Sequence, residues 1–353
     1  MKPKVYFIPS KNSSDEELKD SLQNLIKDNN LLNHIEAKDF IAIKTHFGEA
    51  KTLGFPRPLY MKMLGSLIKE QKGVPFLTES STLYRGNRTN AVDHILHAHN
   101  QGFTIEDTGL PIIMLDGLYG DEEAEVAIEG KKHKSVNIGR MMTKIQGMVM
   151  VSHFTGHLAA GFGATLKNLG MGCTSRRGKL VQHSTAQPTI NESGCTACEV
   201  CIKWCPEDAI SMKGKSAIID KEKCIGCGQC LAMCRFDAVQ YNWGATYKDI
   251  QENIVEHAMG VHNQVKDKAL YINVLTRISK DCDCMPKYEQ ITEDIGILIS
   301  TDPVALDNAS LKLVEERSGK KLSEMAFDIP YHFQIDYAQE IGFGSVEYQL
   351  VEV

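Results

Sequence analysis

Eight of the eleven cysteines fall into two runs of identical spacing. Cys195, Cys198, Cys201 and Cys205 read C-x2-C-x2-C-x3-C, with Pro206 next, and Cys224, Cys227, Cys230 and Cys234 repeat the pattern 29 residues on. Asp208-Ala209-Ile210 recurs as Asp237-Ala238-Val239 at the same offset, so the region is an internal duplication. Thiolates are the soft ligands that iron–sulfur clusters require, and a C-x2-C-x2-C loop wraps three of them around one cluster. In two-cluster proteins of this spacing the fourth cysteine of each run serves the other cluster. The spacing therefore predicts Cys195, Cys198, Cys201 and Cys234 around one [4Fe–4S] cluster, and Cys224, Cys227, Cys230 and Cys205 around a second. A pair of zinc sites is the competing reading. Zinc ribbons, however, use paired C-x2-C knuckles rather than triplets with a fourth thiol three residues on.

Ligand-type residues also gather elsewhere. Thr45-His46-Phe47-Gly48-Glu49 follows an expected strand end, where open α/β sheets place ligand-binding residues. Ser152-His153-Phe154-Thr155-Gly156-His157 does the same, and a helical turn after His153 would point both imidazoles one way. In an extended Asp281-Cys282-Asp283-Cys284 both thiols would share one face. Cys173 lies in Gly170-Met171-Gly172-Cys173, with His183 ten residues later. From these segments we expect a second site of His46, His153, His157, Cys282 and Cys284 holding a metal ion such as zinc, iron or nickel, or an anionic small molecule. Lys167, Arg176 and Arg177 could balance an anion at the same mouth. The plainer alternative is that the histidines cap strand ends and the cysteines are inert. His94, His97 and His99 read as an exposed helix face. Gly161-Phe162-Gly163 and Gly170-Met171-Gly172 complete neither a dinucleotide fingerprint nor a Walker loop, so a nucleotide site is not supported.

Charge narrows the partners. Lys plus Arg is 39 against 45 Asp plus Glu, which argues against bulk nucleic-acid binding. Residues 130–191 contain no acidic residue and nine basic ones, an asymmetry that suits an anionic ligand. No apolar run approaches a membrane span and the N-terminus does not read as a signal peptide, so no membrane insertion and a cytoplasmic setting are expected. So many thiols then point to metal ligation rather than disulfides.

These residues need a scaffold. Apolar runs at 5–8, 40–45, 75–78, 111–115 and 148–152 read as strands, alternating with helical periodicity at 15–27, 59–69 and 90–99. After the cysteine runs the same alternation resumes, with helices at 247–260 and 303–318 and strands at 271–278 and 295–300. The fold class is therefore α/β: a mixed or mostly parallel sheet with flanking helices, interrupted by a small ferredoxin-like α+β two-cluster module. The expected division is 1–187, first part of the α/β domain; 188–243, the cluster-bearing insertion; and 244–353, the second part. Three consecutive units are the alternative.

The stretch from Gly194 to Gln240 resembles bacterial two-cluster ferredoxins, with Arg235 where a proline is expected after the last cysteine. The whole chain resembles the iron–sulfur-centre proteins of the domain-of-unknown-function 362 family, found in anaerobes. The matching segments are Lys44 to Glu49, His153 to His157, Gly161 to Ala164 with Lys167 to Gly172, Arg177-Gly178-Lys179, the cysteine runs, Cys282-Asp283-Cys284, and Thr301 to Ala305. Thr155 stands where members often carry lysine. The resemblance implies two [4Fe–4S] clusters in a larger α/β domain, and no established reaction. Three functions follow as expectations. In the first, low-potential electron transfer runs through the clusters to or from a second site, as in an iron–sulfur oxidoreductase acting on a small molecule. The second is a plain electron carrier whose larger domain docks a redox partner protein. The third is a metal- or cluster-handling protein.

Overall fold

The computed structural model of the chain describes residues 2–50, 52–84, 86–183, 187–224, 226, 228–236, 238–240 and 245–353. Cys227, Asp237 and the expected 243/244 boundary lie outside the described residues.

Runs of β-branched and large apolar residues form the strands β1 (Lys4–Pro9), β2 (Phe40–Thr45), β3 (Val74–Thr78), β4 (Gly147–His153), β5 (Ala269–Leu275), β6 (Gly296–Ser300) and β7 (Gln349–Glu352). They pair in one sheet in the order β7-β1-β6-β5-β4-β2-β3. Only β6 runs against its neighbours β1 and β5. The rest of the sheet is parallel. Strands from both sides of the cysteine runs thus pair with one another, β5 lying on β4 from Ala269↔Met148 to Val274↔His153.

Side chains alternate across the sheet, as a pleated strand requires. Ile41, Ile43, Val149, Val151, Ile272 and Val274 enter one core, while Ala42, Met148, Met150 and Tyr271 enter the other. The first core is closed by α1 (Asp15–Asp28) and α2 (Pro58–Glu70). The second is closed by α6 (Tyr247–Val265), α7 (Pro303–Ser318) and α8 (Phe333–Glu340), with the short α4 (Thr165–Gly170) between them. Two further helices, α3 (Ala91–Asn100) and α5 (Arg176–His183), lie beside the strand ends. Helix starts follow local chemistry: Ser14 and Glu17 form a reciprocal cap on α1, and Asp302 Oδ1 accepts the Val304 and Ala305 amides at 2.9 Å on α7.

Three local expectations need correcting. Residues 111–115 do not form a strand: only Ile112 bridges to Leu77, and Pro111 has no N–H to extend the ladder. The chain after His153 is not helical; Thr155–His157 pairs with Gly161–Gly163 as a hairpin, because the glycines allow a tight reversal that the periodicity does not register. Cys282 to Cys284 turns rather than extends, closed by the Met285 N–H donating to Cys282 O at 3.0 Å. One strand pairing, β7 on the β1 edge, was not expected from the sequence.

Candidate functional site

The duplicated cysteine segment shows its repeat in the backbone. Ala197 and Glu199 adopt φ of 55° and 58°, and their counterparts 29 residues on, Gly226 and Gly228, adopt 69° and 73°. Short helices follow at Val200–Lys203 and Gln229–Met233. Glycine adopts this left-handed backbone without strain, whereas alanine and glutamate do not. Cys195, Cys198, Cys201 and Cys234 line one small cavity, and Cys205, Cys224 and Cys230 line another. Backbone amides reach two of the sulfurs: Ala209 N lies 3.2 Å from Cys205 Sγ and Ala217 N 3.5 Å from Cys195 Sγ. The Ala217 and Ala197 amides hold the Cys195 thiol below its ordinary pKa. Burial acts the other way on Cys201.

A larger cavity, of about 760 Å³, opens at the carboxyl ends of β2 to β5. His46, His153, His157, Cys282 and Cys284 all line it. They do not converge on one point. A ring nitrogen of His157 and the sulfurs of Cys282 and Cys284 lie within 4.8 Å of one another, while His46 and His153 stand outside that group. The two sulfurs are joined as a disulfide.

Hydrogen bonds settle what each histidine offers. His153 Nδ1 lies 2.8 Å from Asp283 Oδ2 and Nε2 lies 2.9 Å from Thr276 O, so both ring nitrogens are already engaged by oxygen partners. Gly54 covers this pair closely: a Cβ there would meet His153 Cε1 at 2.3 Å and Asp283 Oδ1 at 2.8 Å. His46 Nδ1 accepts the Gly48 N–H at 2.9 Å, and Nε2 lies 2.9 Å from Arg88 Nη1. Burial, then the Arg88 and Lys44 charges, hold the His46 pKa well below its ordinary value. His157 Nδ1 accepts N–H groups from Ala159 at 3.1 Å and Ala160 at 2.9 Å. Burial and Lys167 push its pKa far down, so the ring is neutral and its proton sits on Nε2. That is the wrong tautomer for an Nε2 metal bond, which is normally supported by an Nδ1–H donating outward.

Charged groups deliver the remaining chemistry. Lys44, fully buried on β2, pairs with Glu79 at 2.5 Å and donates to Asn168 Oδ1 at 2.7 Å. Arg88 pairs with Glu49 at 3.0 Å and donates to the Tyr84 hydroxyl at 2.6 Å. Lys179 donates to Ser80 Oγ and Thr174 O. Among the described residues neither Lys167 nor Lys179 has a carboxylate within ion-pair distance, and burial brings each pKa down to about 8. The cavity thus carries two ammonium groups beyond its internal pairs. Arg176 and Arg177 do not line it: Arg176 braces Thr82 and Thr89 carbonyls, and Arg177 pairs with Glu123 at 3.5 Å. Cys173 is buried, with its thiol pushed up to about 12, and is inert. His183 lines the cavity with Nδ1 2.8 Å from Lys179 O, its pKa down at about 4 through burial. His94 and His97 are buried, against the expectation of an exposed face, because Phe47 packs on His94 and Gly48 O meets His97 Nε2 at 3.1 Å.

Sequence reasoning missed Glu79 and Arg88 altogether. The usable signals were a lysine inside the apolar run Phe40–Thr45 and a glutamate directly after Val74–Thr78, since a charge at a buried strand end requires a partner.

Among solved structures, the lactate racemase apoprotein from Thermoanaerobacterium thermosaccharolyticum is 12% identical, with a TM-score of 0.47 over 89% of this chain and 57% of that one. A protein from Thermotoga maritima is 13% identical, with a TM-score of 0.47 over 87% of this chain and 59% of that one. The chain thus spans less than two thirds of either protein. No curated protein matches the sequence. The family model of the domain of unknown function DUF362 matches residues 41–312, which include the cavity residues and both cysteine runs, and the chain belongs to that family.

Proposed function

We propose that the chain is an iron–sulfur redox protein in which two [4Fe–4S] clusters exchange electrons with an anionic small molecule bound in the large cavity. Cys195, Cys198, Cys201 and Cys234 would hold one cluster, and Cys224, Cys227, Cys230 and Cys205 the other. The donor set supports this: among the described residues, thiols are grouped four around one cavity and three around the next, with the fourth of each run crossing to the other group. Bound clusters would supply one-electron chemistry at low potential.

One observation favours a redox site over a plain carrier. Gly228, between Cys224 and Cys230, lies against the wall of the large cavity, where a Cβ would sit 3.6 Å from Leu180 and 3.9 Å from Leu83. Leu83 lines the cavity, and Leu180 follows the cavity residue Lys179 on α5. Gln229 anchors the same loop by donating to Asp121 Oδ2 at 2.6 Å. In the cavity Lys167 and Lys179 attract the anion, while the Arg88–Glu49 and Lys44–Glu79 pairs hold the walls in place.

Replacing Cys205 by serine tests the ligand assignment. The expected result is loss of the second-repeat cluster with the first retained, resolved by electron paramagnetic resonance of the reduced protein. Loss confined to the cluster of Cys195, Cys198 and Cys201 would contradict it.

A further inference from the structure

Cys282 and Cys284 are bonded to each other inside the large cavity, next to a neutral histidine. The bond has no evident structural task. Disulfide stabilisation grows with the length of chain it closes, and two residues of separation close almost none. The pair also staples no second element, since both cysteines sit in one turn. What surrounds it is chemical: Cys282 is buried, Asp283 between the two is held by His153, and Lys167 faces the same space.

We propose that Cys282 and Cys284 are a reversible dithiol–disulfide couple, a two-electron site at which the cavity's ligand is oxidised or reduced. The proposal rests on the redox reading above. In the reducing direction the Sγ–Sγ bond breaks, two electrons enter as one-electron transfers from the two iron–sulfur clusters, and one proton comes from solvent to leave one thiol and one thiolate. In the oxidising direction the reduced pair passes two electrons to a reducible anion bound in the cavity, gives up its one thiol proton to that anion or to solvent, and the Sγ–Sγ bond reforms. His157 is a positioning residue here. With Nδ1 engaged by the Ala159 and Ala160 amides, its Nε2–H is left to hydrogen-bond a thiolate, which favours the reduced state. The Lys167 ammonium stabilises the same charge. The histidine tautomer that suits this role is the one that does not suit a metal.

Trypsin cleavage after Lys280 and Lys287 releases Asp281 to Lys287, a peptide holding these two cysteines and no others. Holoprotein poised anaerobically at a series of potentials, acid-quenched and alkylated is therefore read at this peptide by mass spectrometry. The expected result is no label when oxidised and two labels when reduced. The crossover should be reversible and two-electron, the ratio changing tenfold per about 30 mV. His157→Leu should lower the midpoint by about 30 mV, a tenfold loss of the reduced form, while His157→Gln keeps most of it. Two labels at every potential, or none at any, would overturn the proposal. So would a stoichiometric metal that disappears in Cys284→Ser. Iron and sulfide content, measured on the same sample, reports separately on the clusters, so failure of one reading is distinct from failure of the other.

Discussion

Lys167 and Lys179 are the residues on which ligand choice turns. Their ammonium groups are charged below about pH 8 and neutral above it, because burial lowers both pKa values from the usual lysine range. Affinity for an anion should therefore fall as pH rises through 8. Lys167→Gln should weaken binding of inorganic phosphate, followed by calorimetry, about tenfold, the worth of one charge-assisted hydrogen bond, and leave a shallower pH dependence carried by Lys179. Phosphate binding unchanged in this variant would place the anion elsewhere. At this scale the sequence was legible in position: cysteines of the two runs line small cavities together, and the histidines after strands line the large one. It was silent on Lys44–Glu79 and Arg88–Glu49, since partners 35 and 39 residues apart meet only after the strands pair. It was equally silent on tautomers, which depend on backbone groups such as Ala159 N and Thr276 O.

Helix α4 shows what an element must do to present these groups. It carries Lys167 and Asn168 on six residues, too few to be stable unaided, and its N-cap, Ala164, has no capping oxygen. Asp307 on α7 supplies it, accepting the Thr165 amide at 3.0 Å and the Leu166 amide at 2.7 Å, with Asn273 donating at 2.8 Å. Burial raises the Asp307 pKa to about 7 from 3.8. The folded state then holds this proton more tightly than the unfolded chain, so Asp307's contribution to stability falls as pH rises between about 4 and 7. Asp307→Asn, which keeps one acceptor of two, should lower the melting temperature at pH 5 by the equivalent of about 1 kcal/mol. That deficit should narrow by pH 8; a deficit that widens with pH would reverse the sign argued here. The α7 helix was legible from its Asp302-Pro303 start and Gly319 end. The hairpin of Thr155–His157 was not, because three-residue strands carry too little periodicity to separate from a helical turn.

Across the whole molecule, the basic run at 130–191 resolves into separate tasks. Lys131, Lys132, Arg140 and Arg177 pair with acids from other segments, whereas Lys167 and Lys179 turn inward to the cavity. A linear charge count could show the asymmetry but not this division. Strand grammar on both sides of the cysteine runs was legible, and β4 and β5 do pair side by side. On that basis, deletion of residues 188–243 with a Gly/Ser linker should leave a folded α/β protein with far-ultraviolet circular dichroism close to that of the parent. An unfolded product would mean that the cysteine segment is integral to the fold. The presence of the clusters is decided by counting iron, acid-labile sulfide and zinc on one anaerobically purified sample. Two [4Fe–4S] clusters predict about eight iron and about eight sulfide per chain with no stoichiometric zinc. About two zinc per chain without sulfide would instead make the cysteine runs a pair of zinc sites and rule the clusters out.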